Sequence, residues 1–572
     1  MAMDFTKTLV RDNILNVSDS IKYGVKKGGQ NVTPAIYNAL SESAGSQTYN
    51  IQVPSEQTII DREVLWSSTI EFDVTYNFPA STAAGLKVVD PGSSDALAPF
   101  PLHSCASVMT STINNNSVSM NTQDVLPFLL HMVKRKNLHR YAGMTPTALD
   151  SYAKYESDAN SNNNSLGAFQ NSVDNDWSPR GSWVLDYCTT DTTDTIADGN
   201  FNIATSVAGA QTVVVRCKAR VTEPLLLSPF IFGHPYSNNQ GFYGIQNMNF
   251  VFNMNNGNRL WRSNSTASSV SCQIKNFYKS ELRFMFYTPH PSMLMPSRNV
   301  VGYYEVPRYI TTYGEAVPAG AHFSPQSNNL QLNQIPDKLI IAVRKKLSIQ
   351  TPQDPDYWMT IKDLNIQFNN QSGILSSANK QQLYKMSIES GSNQSWNEFN
   401  GKANIVQSSP LLSQNTVGTS GSMLVLDFAK DIQLTEDFYA PGSLGNFNLQ
   451  INLNCVNNTP YNFAEKGLEV VLITLNSGLF VCERGTSSVY TGILTKQDVL
   501  DASSQEHYSK SDVDRMVGGG FLDNLSSMSG YVKGLPSVVK KVVDTAGHPC
   551  TQAIAKKMSG SGKKSMTDNR FY

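Results

Sequence analysis

Charge, cysteine pairs and long apolar runs are all scarce in this sequence. Charged residues make up 16% of the 572 residues, against about 25% in typical soluble proteins. Low charge together with abundant Asn, Gln, Ser and Thr is typical of a protein whose surface is largely covered by neighbouring chains. From composition alone, a secreted or cell-surface β-protein stays open as an alternative.

No segment predicts membrane insertion or secretion. The sequence has no run of about 18 apolar residues, so no membrane-spanning helix is predicted. Its first residues, MAMDFTK, lack the apolar stretch of a signal peptide. The seven cysteines are scattered without a CxxC pair, and an odd number in apolar segments predicts buried free thiols. Such thiols favour a reducing compartment, so we expect synthesis without passage through the secretory route.

Motifs that identify enzymes are missing as well. We find no HExxH, no GxSxG, and no glycine loop of the kind that binds phosphate. The glycines that follow Val517 are interpreted as a flexible hinge. Asp124, Asp427 and Asp437 show nothing distinctive in sequence, although the carboxylate pair of a glycoside hydrolase converges only in three dimensions. We therefore predict a non-enzymatic protein without a metal or cofactor.

Basic residues are concentrated at the two ends of the chain. Residues 1–30 contain five basic and three acidic residues, and residues 521–572 contain eight basic and three acidic residues. Because the net charge is −1, the central region is acidic. This asymmetry predicts that the ends and the centre serve different purposes.

The pattern that dominates the centre is alternation of apolar and polar residues, which is typical of antiparallel strands with one buried face. It occurs at residues 70–76, 213–222, 248–254, 282–286, 361–368 (with an irregularity at its start) and 447–455. In the last of these, Phe447, Leu449, Ile451 and Leu453 are expected to enter one core, whereas Asn448, Gln450 and Asn452 point away. Two more strands, 468–475 and 479–482, are predicted with a hairpin-like junction at Asn476-Ser-Gly.

Helical spacing is found in two segments. Residues 125–133 form the first, with Lys134–Lys136 in the last turn, where cations favour the helix dipole. Residues 376–390 form the second, with Ser376 or Ser377 as the cap and Gly391 after its end. Both are expected in connections between strands. Residues 156–180 and 389–422 are predicted to be long polar loops.

These patterns divide the chain into four segments. Residues 1–46 are a polar arm, residues 47–297 and 298–500 are two β domains, and residues 501–572 are a basic, partly helical C-terminal segment. The apolar residues of this last segment are spaced too loosely to fold alone. A linker near residues 290–300 joins the two β domains.

The order of several short segments resembles a known family. They are EPLLLSPFIFG at 223–233, GFYGIQNM at 241–248, IPDKLIIAV at 335–343, NQSGILSS at 370–377 and APGSLG at 440–445. This order is similar to that of major capsid proteins of the double jelly-roll lineage in small eukaryotic DNA viruses, such as virophages and polinton-like or adinto-like viruses. The resemblance covers residues 47–500, and the C-terminal segment does not map onto a family feature.

The resemblance implies an all-β fold of two antiparallel jelly-roll β-sandwiches in tandem (a double jelly roll), with short helices in the loops. It implies a capsid protein of an icosahedral virion that assembles as a homotrimer, the pseudo-hexameric capsomer. Its expected partners are neighbouring capsomers and a minor capsid or penton protein. The residues of the C-terminal tail, rather than the resemblance, predict an anchor on the inner surface of the shell that contacts a minor capsid protein, a membrane or the genome. Its candidate residues are Lys533, Lys540, Lys541, Lys556, Lys557, Lys563 and Lys564. The alternative that the tail packs back on its own β domain as an ordinary amphipathic element stays open.

Two further interpretations stay open at the level of sequence. One is a single jelly-roll shell domain with a projecting β domain, as in a small RNA or single-stranded DNA virus. The other is a carbohydrate-binding or carbohydrate-cleaving β-sandwich protein. The six tryptophans are spread evenly along the chain, which does not favour a sugar-binding platform.

Overall fold

A computed structural model describes residues 31–79, 95–149, 184–189, 211–230, 241–263, 265, 267–290, 295–407, 413–436, 438–492 and 494–501. The first part of the chain forms a β-sandwich with helices in its connections. Its elements are β1 (Asn31–Asn38), β2 (Ser41–Ser43), β3 (Ser46–Gln52), β4 (Ile59–Ile60), β5 (Leu65–Phe78), β6 (Asp95–Leu97), α1 (Pro101–Cys105), β7 (Val108–Ile113), β8 (Asn116–Met120), α2 (Thr122–Met132), α3 (Arg135–Leu138), β9 (Val184–Thr189), β10 (Gln211–Pro224), β11 (Asn247–Asn253), β12 (Trp261–Ser263) and β13 (Ser269–Thr288).

The second part of the chain forms another sandwich. Its elements are β14 (Asn299–Glu305), β15 (Arg308–Tyr313), β16 (His322–Phe323), β17 (Leu330–Gln334), β18 (Lys338–Lys345), β19 (Thr360–Phe368), β20 (Gln371–Ile374), α4 (Lys380–Glu389), α5 (Trp396–Asn400), β21 (Lys402–Gln407), β22 (Ser413–Gly418), β23 (Leu424–Asp427), β24 (Leu444–Val456), β25 (Leu468–Glu483), β26 (Thr486–Thr491) and α6 (Lys496–Leu500).

Both sandwiches have the same strand order. In the first, one sheet runs β1-β13-β5-β10-β9 and the other β2-β3-β11-β7-β8. In the second, one sheet runs β14-β25-β18-β23, with β15 continuing β14 along β25, and the other β16-β24-β19-β20, with β17 beside β16 on β24. We number the principal strands of each sandwich from 1 to 8 along the chain. In the first sandwich these are β1, β3, β5, β7, β8, β10, β11 and β13, and in the second they are β14 with β15, β16 with β17, β18, β19, β20, β23, β24 and β25. In these numbers, both sandwiches have one sheet in the order 1-8-3-6 and the other in the order 2-7-4-5. This is the jelly-roll topology, so the predicted tandem jelly-roll fold is confirmed.

The strand order also gives each sandwich two distinct ends. Antiparallel neighbours reverse direction, so alternate connections fall at opposite ends. At one end, which we call the terminal end, the chain enters strand 1 and leaves strand 8. At the other, the distal end, lie the connections 1–2, 3–4, 5–6 and 7–8. Only residues 289–298 separate β13 from β14, so the two terminal ends lie side by side.

Strand β24 has the register expected from its sequence. Phe447, Leu449, Ile451 and Leu453 are each 3% exposed or less, whereas Asn448 is exposed and Gln450 and Asn452 are partly exposed. Strand β5 differs from the half-buried strand that its pattern predicts. Its polar face is also covered, because Glu71 and Asp73 interact with side chains of the neighbouring strands β13 and β10.

The hairpin predicted at Asn476-Ser-Gly is wrong. Residues 468–483 form one continuous strand, β25, that changes neighbours halfway, pairing with β15 through residues 468–473 and with β14 through residues 476–482. Gly478 allows the close approach of a neighbour rather than a turn, because a Cβ there would lie 2.3 Å from the carbonyl oxygen of Tyr490 on β26.

Both predicted helices exist, with different ends. Helix α2 ends at Met132, so Lys134 is extended and Arg135 and Lys136 begin α3 instead. Helix α4 begins at Lys380 rather than after Ser376 or Ser377. Its cap is Asn379, whose side chain accepts from Gln382 N–H while the Gln382 side chain accepts from Asn379 N–H. This reciprocal box satisfies two helix-terminal donors at once, which the serines do not achieve.

Two predicted segment types also differ from the structure. The loop expected at 389–422 contains α5 and the β21–β22 hairpin, and a capping box from Ser395 to Glu398 starts α5. Strands β1 and β2 lie within the predicted arm, and β1 pairs with β13 along its whole length. Residues 1–30 and the loop at 156–180 lie outside the described residues. The boundaries at 47, 298 and 501 stay a prediction.

The cores of the two sandwiches merge through β18, β23 and β25. One face of these strands, including Leu339, Ile341 and Leu472, belongs to the core of the second sandwich. The other face, including Ile340 and Ile473, belongs to the apolar cluster of the first. Strands buried on both faces have nearly continuous apolar sequences, and Leu468–Leu475 has such a sequence for this reason.

Candidate functional site

The candidate anchor lysines, Lys533 through Lys564, all lie outside the described residues. Within the described residues, no three His, Cys, Asp or Glu side chains are grouped so as to hold a metal ion, and no helix is long and apolar enough to cross a membrane. Cys105, Cys272, Cys455 and Cys482 are buried without a disulfide. Burial raises the pKa of the Cys482 thiol to about 12, which disfavours the nucleophilic thiolate.

A set of interacting side chains joins the two sandwiches. Helix α2, in the 5–6 connection of the first sandwich, packs on the 3–4 connection of the second. Phe128 stacks on Trp358 with ring centroids 5.0 Å apart, and the His131 ring meets the same indole edge-on at 4.9 Å. The His131 Nδ1 atom donates to the Pro127 carbonyl at 2.8 Å, which fixes the ring in this orientation.

A buried group of charges lies next to this aromatic contact. Asp124, 1% exposed on α2, contacts Arg344 of β18, and its other oxygen lies 2.5 Å from Arg308 Nε of β15. Arg344 Nε also lies 2.8 Å from Glu469 Oε1. Asp124 of the first sandwich therefore meets two guanidinium groups of the second, and one of these, Arg344, also pairs with Glu469 of its own sandwich. Removing one member of such a buried set leaves an uncompensated charge.

Further polar contacts join the distal parts of the two sandwiches. Arg135 pairs with Glu398 of α5, and Arg259 pairs with Asp356. Arg259 also donates to Gln350 Oε1 at 2.8 Å. These pairs lie on the same side of the molecule as Trp358, so the distal interface is both apolar and ionic.

The terminal ends are joined by different contacts. The turn between β7 and β8 contacts the strand that follows β25. Asn115 Oδ1 accepts from Ser487 N–H at 2.8 Å, and Ser487 Oγ donates to the Ile113 carbonyl at 2.6 Å. Phe242 of the first sandwich lies edge-on to Phe480 of β25, with centroids 6.4 Å apart. The sandwiches are thus held parallel at both ends.

A buried carboxyl group lies where β25 changes neighbours. Asp337 Oδ2 accepts from Ser477 N–H at 2.8 Å. Burial, together with the charge of Asp427, raises the pKa of the Asp337 carboxyl to about 7, against opposing effects from Ser477 and Lys338. Lys338 itself pairs with Asp427. Of the carboxylates in which the sequence showed nothing distinctive, Asp124 and Asp427 thus belong to buried ion pairs, and Asp437 lies outside the described residues.

Two parallel jelly rolls in one chain, locked together by a shared core, define a double jelly-roll capsid protein. The family model described as Sputnik virophage major capsid protein 1st domain matches residues 3–287, and the model of the major capsid protein V20 C-terminal domain matches residues 306–478. The chain belongs to the family of virophage major capsid proteins, which form icosahedral shells, and it is a component of the virion.

Individual relatives agree with this assignment. The putative capsid protein V20 of Sputnik virophage is 27% identical over 550 residues, which cover 93% of this chain and 87% of the relative. The solved Sputnik virophage structure matches with a TM-score of 0.75 and 25% identity, covering 90% of this chain and 99% of that one. The mavirus major capsid protein has the same fold, with a TM-score of 0.62 at 13% identity, covering 88% and 99% of the two chains.

Both alternative interpretations are disfavoured. The region proposed as a projecting domain repeats the strand order of the first sandwich, so it is a second jelly roll. The tryptophans of the described residues also do not form a sugar-binding platform, because only Trp396 of α5 among them is partly exposed. Trp66 and Trp261 are fully buried, and Trp358 is 4% exposed against Phe128.

Proposed function

We propose that three copies of this chain form a homotrimer, the pseudo-hexameric capsomer of the shell, and that the protein has no catalytic activity. The observation that supports the trimer most directly is the repeated strand order of two parallel sandwiches. Each chain contributes two similar β-sandwiches, so three chains place six sandwiches around a threefold axis. Symmetric homo-oligomers of this kind are the common form of protein assembly.

An exposed apolar row at the edge of the first sandwich supports burial by other copies. Strand β1 is an edge strand of its sheet. Val32 and Ile36 on this strand are 44% and 60% exposed, and Leu40 just after it is 72% exposed. Edge strands that present apolar side chains associate readily with other chains. We expect the contacts between copies to bury more than about 2,000 Å², as in obligate oligomers.

Residues 517–572, in the C-terminal segment, are proposed to anchor the capsomer to the inner layer of the virion. Asn31 and Asp501, where the described chain begins and ends, both lie at the terminal end. The basic segments that flank residues 31–501 therefore both begin at the terminal end of the sandwiches, which would place them on the same side of the capsid shell. The proposed contacts of Lys533, Lys540, Lys541, Lys556, Lys557, Lys563 and Lys564 are a minor capsid or penton protein, an inner membrane or the genome.

Electron microscopy and sedimentation of the purified full-length protein test the trimer. Trimers or closed shells at physiological salt are expected, and a stable monomer at high concentration would contradict the proposal. Deletion of residues 517–572 tests the anchor. Trimers with an unchanged thermal midpoint but failed or fragile shells are expected. A truncated chain that cannot fold would show instead that the segment belongs to a domain core.

A further inference from the structure

Three lysines come together at the distal end of the second sandwich. Lys362 lies near the start of β19, Lys380 is the first residue of α4, and Lys402 is the first residue of β21. Lys362 is the extra residue of a β-bulge, because Ile361 pairs with Cys455 and Asp363 with Asn454. Bulges re-aim a side chain and are frequent beside functional sites.

The backbone beneath these lysines is tightly fixed. The Thr360 hydroxyl donates to the Asn400 carbonyl at 3.1 Å, and Asn458 Nδ2 donates to the Thr360 hydroxyl at 2.6 Å. Gly401 has a φ of +75°, and a Cβ at this position would lie 2.1 Å from Thr360 Oγ1. The 3–4, 5–6 and 7–8 connections are therefore joined at one point, which holds Lys362 and Lys402 close to Lys380.

Among the described residues, the lysine cluster has no acidic partner. No carboxylate oxygen there lies within 4.0 Å, the limit for an ion pair, of the ammonium group of Lys362, Lys380 or Lys402. The neighbouring Asp363 instead accepts from Asn454 at 3.0 Å. Lys380 Nζ contacts Asn400 and lies 5.5 Å from the Trp396 ring centroid. Burial and then the charges of Lys402 and Lys362 lower the pKa of Lys380. Like charges held this close repel each other, and an anion would relieve the repulsion.

We propose that Lys362, Lys380 and Lys402 bind an acidic polysaccharide, a sugar chain that bears carboxylate or sulfate groups. The choice of polysaccharide over nucleic acid rests on the proposed function. If the basic termini face the interior of the virion, the distal end faces outward, where the genome is absent and surface glycans are met. Three cations on a fixed backbone complement the repeating negative charge of such a chain.

Binding of the full-length protein to immobilised heparin, polygalacturonate, neutral dextran and single-stranded DNA tests the proposal. The test variant is Lys362→Gln with Lys402→Gln, which keeps the partly buried Lys380. The control is Lys385→Gln with Lys430→Gln, which removes the same charge from lysines that pair with Glu389. We expect the test variant to bind one or both acidic polysaccharides about tenfold more weakly, equivalent to about 1.4 kcal/mol, and the control to bind as the unmodified protein does.

The outcomes separate this proposal from the proposed function. Equal binding by test and control variants overturns the polysaccharide site, even if microscopy of the same sample shows intact shells. Binding of DNA but not of polysaccharide through these lysines also overturns it and points to the genome side. A polysaccharide-specific loss in the test variant supports the site even if the sample forms no shells, in which case only the assembly proposal fails.

Discussion

At the scale of single residues, the ion pairs that hold the two sandwiches together involve residues that no local sequence pattern identifies. Asp124 meets Arg344 across 220 positions of sequence, so neither residue reveals its partner in a local window. The alternation along β24 was predictable because one face of the strand borders water, so every second residue is polar. No comparable pattern identifies a carboxylate whose basic partners belong to another domain.

Replacement of Asp124 by Asn should destabilise the protein strongly. The amide keeps the size of the side chain but leaves the buried Arg344 with Glu469 as its one carboxylate partner and removes the carboxylate that pairs with Arg308. We expect a loss of about 3 kcal/mol, measured as a lower thermal midpoint of the full-length protein. The matched control, Glu465→Gln, removes a charge from an exposed position. Equal midpoints for the two variants would contradict the role given to Asp124.

Asp337 predicts a pH dependence of stability. Its pKa in the folded chain is raised to about 7 from a usual value of 3.8, so the folded state binds more protons than the unfolded state between these values. The contribution of Asp337 is therefore full at low pH and is lost as pH rises toward 7, by a few kcal/mol in all. Asp337→Asn should flatten this part of the profile of thermal midpoint against pH. An unchanged slope in the variant would show that other groups cause the dependence.

At the scale of elements, the sequence predicts strands that border water better than strands that do not. The polar residues in the middle of β25 indicated a turn, because Asn, Ser and Gly favour turns in isolation. Burial on both faces and neighbours on both edges override that preference. The irregularity expected at the start of β19 was confirmed as the bulge at Lys362, but its proximity to Lys380 and Lys402 depends on loop packing that no local pattern encodes.

Gly478→Ala should disturb the pairing of β25 with β26. The added methyl group would lie 2.3 Å from the Tyr490 carbonyl, so the strands must separate, and overpacking of this kind costs about 1–3 kcal/mol. Gly302→Ala on the adjacent β14 is the control, because a Cβ there meets nothing within 4 Å. Hydrogen exchange of the residues in β26 measures the effect. Equal protection of β26 in the two variants would argue against the close packing at Gly478.

At the scale of the whole molecule, the shared core makes the two sandwiches one folding unit. The apolar cluster that contains the first core also includes Ile340, Val425 and Ile473 of the second sandwich. The resemblance to double jelly-roll proteins predicted two domains side by side. It did not reveal that the sheet of β18, β23 and β25 is apolar on its outer face as well as on its inner face. The outer face is apolar because it contacts the first sandwich, whose residues are far away in sequence.

Each sandwich should therefore fail to fold alone. Residues 298–500 expressed separately would expose the face of β18 and β25 that the first sandwich covers, and large exposed apolar faces cause aggregation. We expect insoluble fragments when the halves are expressed singly and a soluble complex when residues 1–297 and 298–500 are produced together. A monomeric, cooperatively folded second half would contradict the single folding unit.

The two-ended arrangement has a practical consequence for engineering. The exposed turn at Glu465 and Lys466 lies in a 7–8 connection, whereas Asn31 and Asp501 lie at the opposite end of the strands. A peptide inserted in that turn and a protein fused to either terminus would be separated by the full length of a jelly roll. If the chain builds a wall, one gene could carry a displayed epitope on one side and a packaged cargo on the other.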